Sequence, residues 1–382
     1  MVSERSLFLH FLRIFSALIV CVGHTKEFLF VHMNDAAHRL EKLTRLFLGL
    51  GPAAVLVFFF LSGFLVGGSI IRSLIKQDLN FGTYIFDRLT RLWIVLVPAL
   101  LLTFGTNTFT CRDSNISLYC TADPKLASHA DIPPLFSQKI SDLFSNVFFL
   151  QPFKGLPWGG NGPLWSLSYE FWYYIVFFSL IMILNSFLRR NVSFRLIPHI
   201  FILFLASKIL NIDWLVLGSI WVSGAGAAYF LSTDWARTFS ARYQKSVALK
   251  FTLLTFFLIF PVLITVKIFP RLIAFPILIL VLTLCISTMQ NDHHSRINGK
   301  LQELIVRGSE FSFSLYLIHF PIIALVASQL TPTNRWTMSP MGLLVLVGIT
   351  FGVLLTAYAF AWLTEFNLVH LRNALRPSIR KL

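Results

Sequence analysis

Charge is scarce in this chain. Asp, Glu, Lys and Arg make up 13% of its 382 residues, about half the share of a soluble domain. Acidic residues are the rarer sign, 17 against 32 basic ones. With 56% hydrophobic residues and a mean hydropathy of +0.72, a water-soluble fold would expose large apolar patches. That excludes a soluble multidomain protein of this length. Cysteine is scarce too, at four. Cys21 and Cys285 fall in apolar stretches and read as inert small apolar residues. Cys111 and Cys120 share one long loop, where a bridge or two unrelated thiols are both open readings. Metal-ligand spacing is missing, so no metal is expected, and His293-His294 reads as a solvated loop pair. There is no nucleotide-binding motif. There is also no internal repeat, low-complexity linker or appended soluble domain. No cleavable signal is expected, because Arg13 interrupts the first apolar stretch and no small-residue cleavage site follows it.

What is present is one apolar run after another. A spanning helix needs about 20 mostly apolar residues. Ten stretches qualify: 7–28, 46–70, 92–110, 164–188, 196–211, 214–232, 250–266, 272–289, 311–330 and 341–364. The fifth, sixth and seventh are short. The predicted fold class is therefore all-α, a polytopic transmembrane helical bundle of about ten helices. Placing the N-terminus in the cytoplasm puts Arg72, Lys76, Arg88 and Arg91 inside, with Arg189, Arg190, Arg195, Arg237, Arg242, Lys245, Lys250, Arg296, Lys300 and Arg307. The last two outer loops then hold only Lys267, Arg271 and Arg335. This is the positive-inside asymmetry, and it makes both termini cytoplasmic. The first outer loop, with Lys26, Arg39, Lys42 and Arg45, runs against it. Topology and anionic inner-leaflet lipid account for most of the net charge of +15, so no nucleic-acid partner is needed. Residues 1–364 form the membrane domain, with one sizeable outer loop at 111–163, and residues 365–382 a basic cytoplasmic tail. The run Gly155-Leu-Pro-Trp-Gly-Gly-Asn-Gly-Pro-Leu-Trp165 ends that loop and is too rich in Gly and Pro for a helix. Its tryptophans suit a membrane interface, and irregular backbone at that depth is tolerated where protein buries it or where it lines a cavity.

Ionisable groups inside spans are functional candidates. Arg13 and His24 lie eleven residues apart in the first helix, nearly on one face and roughly 16 Å apart along the axis. The alternative is an inward-snorkelling arginine and an interfacial histidine. Ser62-Gly63 is a gap in the aromatic run Phe58–Phe64, readable as helix packing or as part of a site. Arg88 and Arg91, at i and i+3 before the third span, either grip one phosphate-bearing group or anchor topology. Glu170 lies about a turn and a half into the fourth span, at a depth similar to that of His24. Ser314, Tyr316 and His319 add a polar face to the ninth. Several such faces on different helices suggest a shared polar chamber.

At these residues the sequence resembles the acyltransferase-3 family of integral membrane acyltransferases. Arg13 and His24 match its Arg, ten residues, His signature; residues 58–64 match its Phe-rich Leu-Ser-Gly-Phe segment; and Arg88 and Arg91 its Arg-x-x-Arg. Leu164 to Glu170 match Leu-Trp-Ser-Leu-x-x-Glu, and Ser314 to Pro321 match Ser-x-Tyr-Leu-x-His-x-Pro. The order holds along nearly the whole chain. Two features depart from it. The usual Leu-Asp-Gly-Leu-Arg-Gly opening is here Leu9-His-Phe-Leu-Arg13-Ile, and the C-terminal esterase domain of some members is missing.

The resemblance implies a bacterial inner-membrane O-acyltransferase. It would move an acyl group, acetyl above all, from a cytoplasmic acyl-CoA donor to a hydroxyl of an extracytoplasmic glycan or lipid-linked glycan. Acetyl-CoA is then a donor substrate, and no cofactor is permanently bound. Arg88 and Arg91, with Arg13, would hold the donor's phosphates. His24 would act as general base or carry the acyl group briefly. Its unperturbed pKa near neutrality suits either task. Glu170 would orient His24 or bind the acceptor, with Glu27 a rival orienter. Trp165, Tyr173, Ser314, Tyr316 and His319 would bind substrate. The competing class is a transporter or flippase for a lipid-linked glycan or small solute, but paired discontinuous helices are not evident. A purely structural protein leaves the Arg13–His24 pair unexplained.

Overall fold

In lipid every backbone polar group must be satisfied within the protein, so apolar runs of this length become helices. The computed structural model describes residues 2–30, 49–110, 139–190, 193–243, 246–265, 271–289, 298–331 and 334–379. Among these the regular structure is helical, with one isolated β-bridge between Phe30 and Trp336. Cys111, Cys120, His293, His294, Arg39, Lys42, Arg45, Lys245, Lys267 and Arg296 lie outside the described residues.

The helices are α1 (Glu4–Leu29), α2 (Gly51–Lys76), α3 (Phe81–Thr110), α4 (Ile140–Val147), α5 (Leu164–Leu188), α6 (Ile197–Ala206) and α7 (Ile212–Phe230). They continue as α8 (Asp234–Tyr243), α9 (Val247–Thr265), α10 (Arg271–Thr288), α11 (Gly299–Glu310), α12 (Ser312–Leu330), α13 (Pro340–Leu363) and α14 (Leu368–Ile379). Six helices among the described residues are long and apolar enough to cross a membrane: α1, α2, α3, α5, α12 and α13 with its extension. A seventh is the α7–α8 pair, bent by 83°. Shorter apolar helices cover Phe194–Ala206, Val247–Phe260 and Ile273–Thr288. Each of the ten predicted stretches thus falls on a helix, the fifth on a short one, α6.

Several segments differ from the sequence reading. The third helix begins at Phe81, so Arg88 and Arg91 lie inside it rather than before it. Asp87, Arg88 and Arg91 are its only charged residues, and an i, i+3 arginine pair does not break a helix. Lys26 belongs to the last turn of α1 and is buried, not a loop residue. Arg237 and Arg242 lie on α8, Lys300 and Arg307 on α11, and Arg372 on α14. These amphipathic helices lack the continuous apolar run that marks a span.

The chain divides into two units, each built from three stretches. The first comprises Met1–Ser16, Pro52–Phe81 and Tyr169–Ser309, the second Ala17–Gly51, Gly82–Ser168 and Glu310–Leu382. In the first, α2 packs on α7 and α9 on α10. The α2–α7 contact uses small residues: a Cβ at Gly67 would sit 2.5 Å from the Ala225 Cβ, and one at Gly68 2.6 Å from that of Ala228. Such surfaces let helix backbones approach closely, which is how membrane helices associate without a hydrophobic driving force. At Gly63–Gly67 α2 widens into a π-helical turn, a form frequent at functional sites. At the other end of this unit, α11 lies on α1 through a His10–Ser309 hydrogen bond, and Lys250 pairs with Glu4 at 2.8 Å.

In the second unit α12 packs on α13. Phe30 and Trp336 bring the segment before α13 onto the end of α1, with the Trp336 N–H donating to the Leu29 carbonyl at 2.8 Å. The run after α4 is irregular yet ordered by its own side chains. Asn146 Nδ2 donates to the Leu156 carbonyl at 2.9 Å, and the Leu156 N–H to Asp142 Oδ1 at 3.3 Å. A 3-10 turn at Trp158–Gly160 follows.

Candidate active site

The second unit brings two histidines together. His24 on α1 and His319 on α12 meet edge to face, with ring centroids 5.2 Å apart. Phe320 stands 5.2 Å from the His24 ring, and Tyr316 stands 5.9 Å from that of His319. His319 is 1% exposed and His24 half-buried. The Nδ1 of His319 lies 3.0 Å from the Leu315 carbonyl. A carbonyl only accepts, so Nδ1 carries the hydrogen and the neutral ring keeps its lone pair on Nε2. That Nε2 and the Nδ1 of His24 have no hydrogen-bond partner among the described residues. A neutral imidazole nitrogen free in this way is available to take or give a proton. His24 lies five residues from the end of α1, but His319 lies eleven from the end of α12. The pair is therefore deep along α12, not at its rim.

The Gly- and Pro-rich run, residues 155–165, packs against this region. Asn107 on α3 donates to the Gly159 carbonyl at 2.7 Å, and Asn161 donates to the Leu317 carbonyl at 2.9 Å. Gly159 sits at φ +62, and a Cβ there would fall 2.7 Å from both Asn107 and Thr103, so glycine is needed twice over. Trp158 is buried and stacks on Phe104. Backbone of this kind within a membrane protein is tolerated where protein buries it.

Glu170 organises a second polar cluster, in the first unit. Ser62 Oγ donates to Glu170 Oε1 at 2.5 Å, and the Tyr174 hydroxyl donates to the same oxygen. The Trp221 indole in turn donates to Ser62 Oγ at 3.0 Å. Ser62 immediately precedes the π-helical turn. Its neighbour Gly63 packs against Trp221, as the packing reading expects, and its own hydroxyl holds a carboxylate. Tyr174 and Trp221 were not singled out from the sequence. A Tyr four residues after Glu170 on the same helix face was the available signal for Tyr174. Nothing local marked Trp221.

The arginines are more dispersed. Arg88 is half-buried with its guanidinium 5.6 Å from the Tyr84 ring, and Arg91 is exposed. Arg372 reaches Asp87, beside Arg88, at 3.8 Å, so α14 brings a third guanidinium to this part of α3. The sequence reading places Arg372 in the basic cytoplasmic tail. Arg13 belongs to the first unit and is half-buried. Among the expected substrate contacts, Trp165 is 38% exposed on α5. Tyr316 bonds Ser166 through its hydroxyl at 2.7 Å. Tyr173 is 4% exposed, and its hydroxyl is held by the Trp214 carbonyl at 2.7 Å. Ser314 donates through both Oγ and N–H to Glu365 Oε2, at 2.9 and 3.2 Å. Glu365 thereby satisfies an N–H in the first turn of α12, where a carboxylate is favoured. No group of three His, Cys, Asp or Glu side chains able to hold a metal occurs among the described residues.

A multi-pass helical membrane protein with a histidine pair in its interior is the class these features define. The chain belongs to the acyltransferase-3 family: the family model described as an acyltransferase domain matches residues 6–362, nearly its whole length. It is therefore a membrane acyltransferase. No curated protein and no solved structure matches the chain.

Proposed function

We propose that the protein is an O-acyltransferase of a bacterial inner membrane. It moves an acyl group, acetyl first among them, from cytoplasmic acyl-CoA to a hydroxyl of an extracytoplasmic glycan or lipid-linked glycan. The observation that carries this reading is the meeting of His24 and His319, each with a free ring nitrogen, within an acyltransferase domain. His24 takes the proton of the acceptor hydroxyl as its oxygen attacks the thioester carbonyl. The C–S bond breaks, the new ester is released, and the proton passes to the departing thiolate of coenzyme A. His319, its tautomer set by Leu315, steadies the His24 ring.

Arg88 and Arg91 hold the donor's phosphates. A guanidinium forks onto two phosphate oxygens where an ammonium meets them as a point charge. The test uses purified protein in lipid vesicles, radiolabelled acetyl-CoA and extracted surface glycan. Label should appear in the glycan. The double variant Arg88→Lys/Arg91→Lys should insert normally and raise the acetyl-CoA KM at least tenfold, roughly the 1.4 kcal/mol or more that charge-assisted bonds contribute. Glycan crossing the vesicle without becoming labelled would make the protein a flippase. Unchanged KM in the double variant would reduce the arginines to topology anchors.

The reading requires donor and acceptor on opposite faces. We assign ten crossings, the six long helices together with α6, α7, α9 and α10, and both termini in the cytoplasm. Reporter fusions at Ala130, Ser240 and Arg380 should report outside, inside and inside. A reporter at Ser240 facing outside would overturn the assignment of the fifth and sixth crossings.

A further inference from the structure

Pro321 lies inside α12, two residues after His319. Proline has no N–H, so the carbonyl four residues earlier, that of Leu317, loses its helical partner, and the ring pushes that carbonyl outward. A buried carbonyl without a partner is costly. Here the partner comes from elsewhere in the chain. Asn161, 1% exposed, donates from Nδ2 to the Leu317 carbonyl at 2.9 Å. The same nitrogen lies 3.3 Å from Thr103 Oγ1 on α3, and Thr103 is tied to its own helix through the Ala99 carbonyl at 2.8 Å. Gly162 brings the adjoining backbone against Phe320, to which a Cβ would stand at 3.6 Å. Phe320 is the ring that packs on His24. The contact therefore falls on the turn of α12 that carries His319, flanked by the residues that touch the histidine pair.

We propose that Asn161 is a positioning residue for this pair. It replaces the hydrogen bond that Pro321 removes and thereby fixes the Leu317–Pro321 turn, with His319 on it, at the place where His319 meets His24. The Gly- and Pro-rich run is then a fixed wall of the site, clamped at α3 and at α12. The proposal rests on the acyl-transfer reading for its effect on rate but not for the contact itself. It makes Pro321 and Asn161 a coupled pair: proline is tolerated because the asparagine is there, and the asparagine matters because the proline is.

That coupling is the test. Asn161→Leu leaves the Leu317 carbonyl without a partner and should lower acyl-transfer kcat about tenfold at matched folded protein, with the acetyl-CoA KM little changed. Asn161→Asp sets an oxygen against the carbonyl and should be at least as harmful. Pro321→Ala supplies a backbone N–H that the Leu317 carbonyl can accept, so in that background Asn161→Leu should cost no more than about twofold, a strong departure from additivity. A second readout needs no turnover: the rate at which diethylpyrocarbonate modifies His24 and His319, followed by mass spectrometry. Asn161→Leu should change it about threefold or more when Pro321 is present and not when it is combined with Pro321→Ala. If wild-type protein transfers no acyl group, the function proposed above falls, while the modification rates still decide the role of Asn161. Equal effects of Asn161→Leu with and without Pro321→Ala, or a benign Asn161→Asp, overturn the proposal.

Discussion

His24→Ala is expected to lower acyl transfer by about 10²–10⁴, the usual contribution of a positioned general base. Insertion and acetyl-CoA binding should stay near wild type. His24→Asn should fare little better, because an amide keeps the hydrogen bonding of an imidazole but takes no proton at neutral pH. The comparison with His319→Ala is the informative one. The two rings are in contact, so both variants should be impaired, and the one that does the chemistry should lose more. His319 has one nitrogen committed to Leu315 and is the more deeply buried of the two, which fits a steadying role. The measurement is single-turnover transfer of label at matched protein levels, since deleting a buried polar group also loosens a bundle. Near wild-type turnover in His24→Ala, with none in His319→Ala, would move the chemistry to α12.

The second large effect concerns stability. A Cβ on Gly224 would lie 2.1 Å from the Phe60 carbonyl oxygen, and one on Gly63 1.7 Å from that of Trp221. Both obstacles are helix backbone and do not move aside as the tip of a side chain would. Gly224→Leu must therefore force α2 and α7 apart. That also withdraws the Trp221 indole from Ser62 and, through Ser62, disturbs the support of Glu170. The expected loss is about 4 kcal/mol or more, the range reserved for severe overpacking. Its reading is collapse of the monodisperse peak in size-exclusion chromatography of detergent extracts. Gly226 lies on the same helix with nothing within 4 Å of an added Cβ. Gly226→Ala should be neutral or stabilising by up to about 1 kcal/mol, the helix preference for alanine. Equal yields from Gly224→Leu and Gly226→Leu would show that this close approach does not hold the unit together.

Much of the architecture was legible because it follows from short-range chemistry. An apolar run about 20 residues long has one conformation that satisfies its own backbone in lipid, and the ten predicted stretches all fall on helices. Arg13 and His24 stood out for the same reason, since a charge or an imidazole inside such a run calls for an explanation. The resemblance then added the order of the motifs, and the family model matches residues 6–362. What stayed hidden depends on partners far away in sequence. His24 meets His319, Ser62 meets Glu170, and Asn161 meets Leu317 across 156 residues. Serine, tyrosine and asparagine read as small polar interruptions until the facing helix is known. The amphipathic helices α8, α11 and α14 were not legible because they lack a continuous apolar run, and the contact of Arg372 with Asp87 was hidden with them.

The sequence by itself determined that the chain is helical, where its apolar helices lie and which of them carry ionisable groups, because each of these depends only on residues within a turn or two of one another. Tertiary structure alone decided which polar groups meet. In a bundle whose helix surfaces are almost uniformly apolar, pairing is chosen by backbone approach at small residues such as Gly63 and Gly224, and by carbonyls such as that of Leu317 which a proline has released.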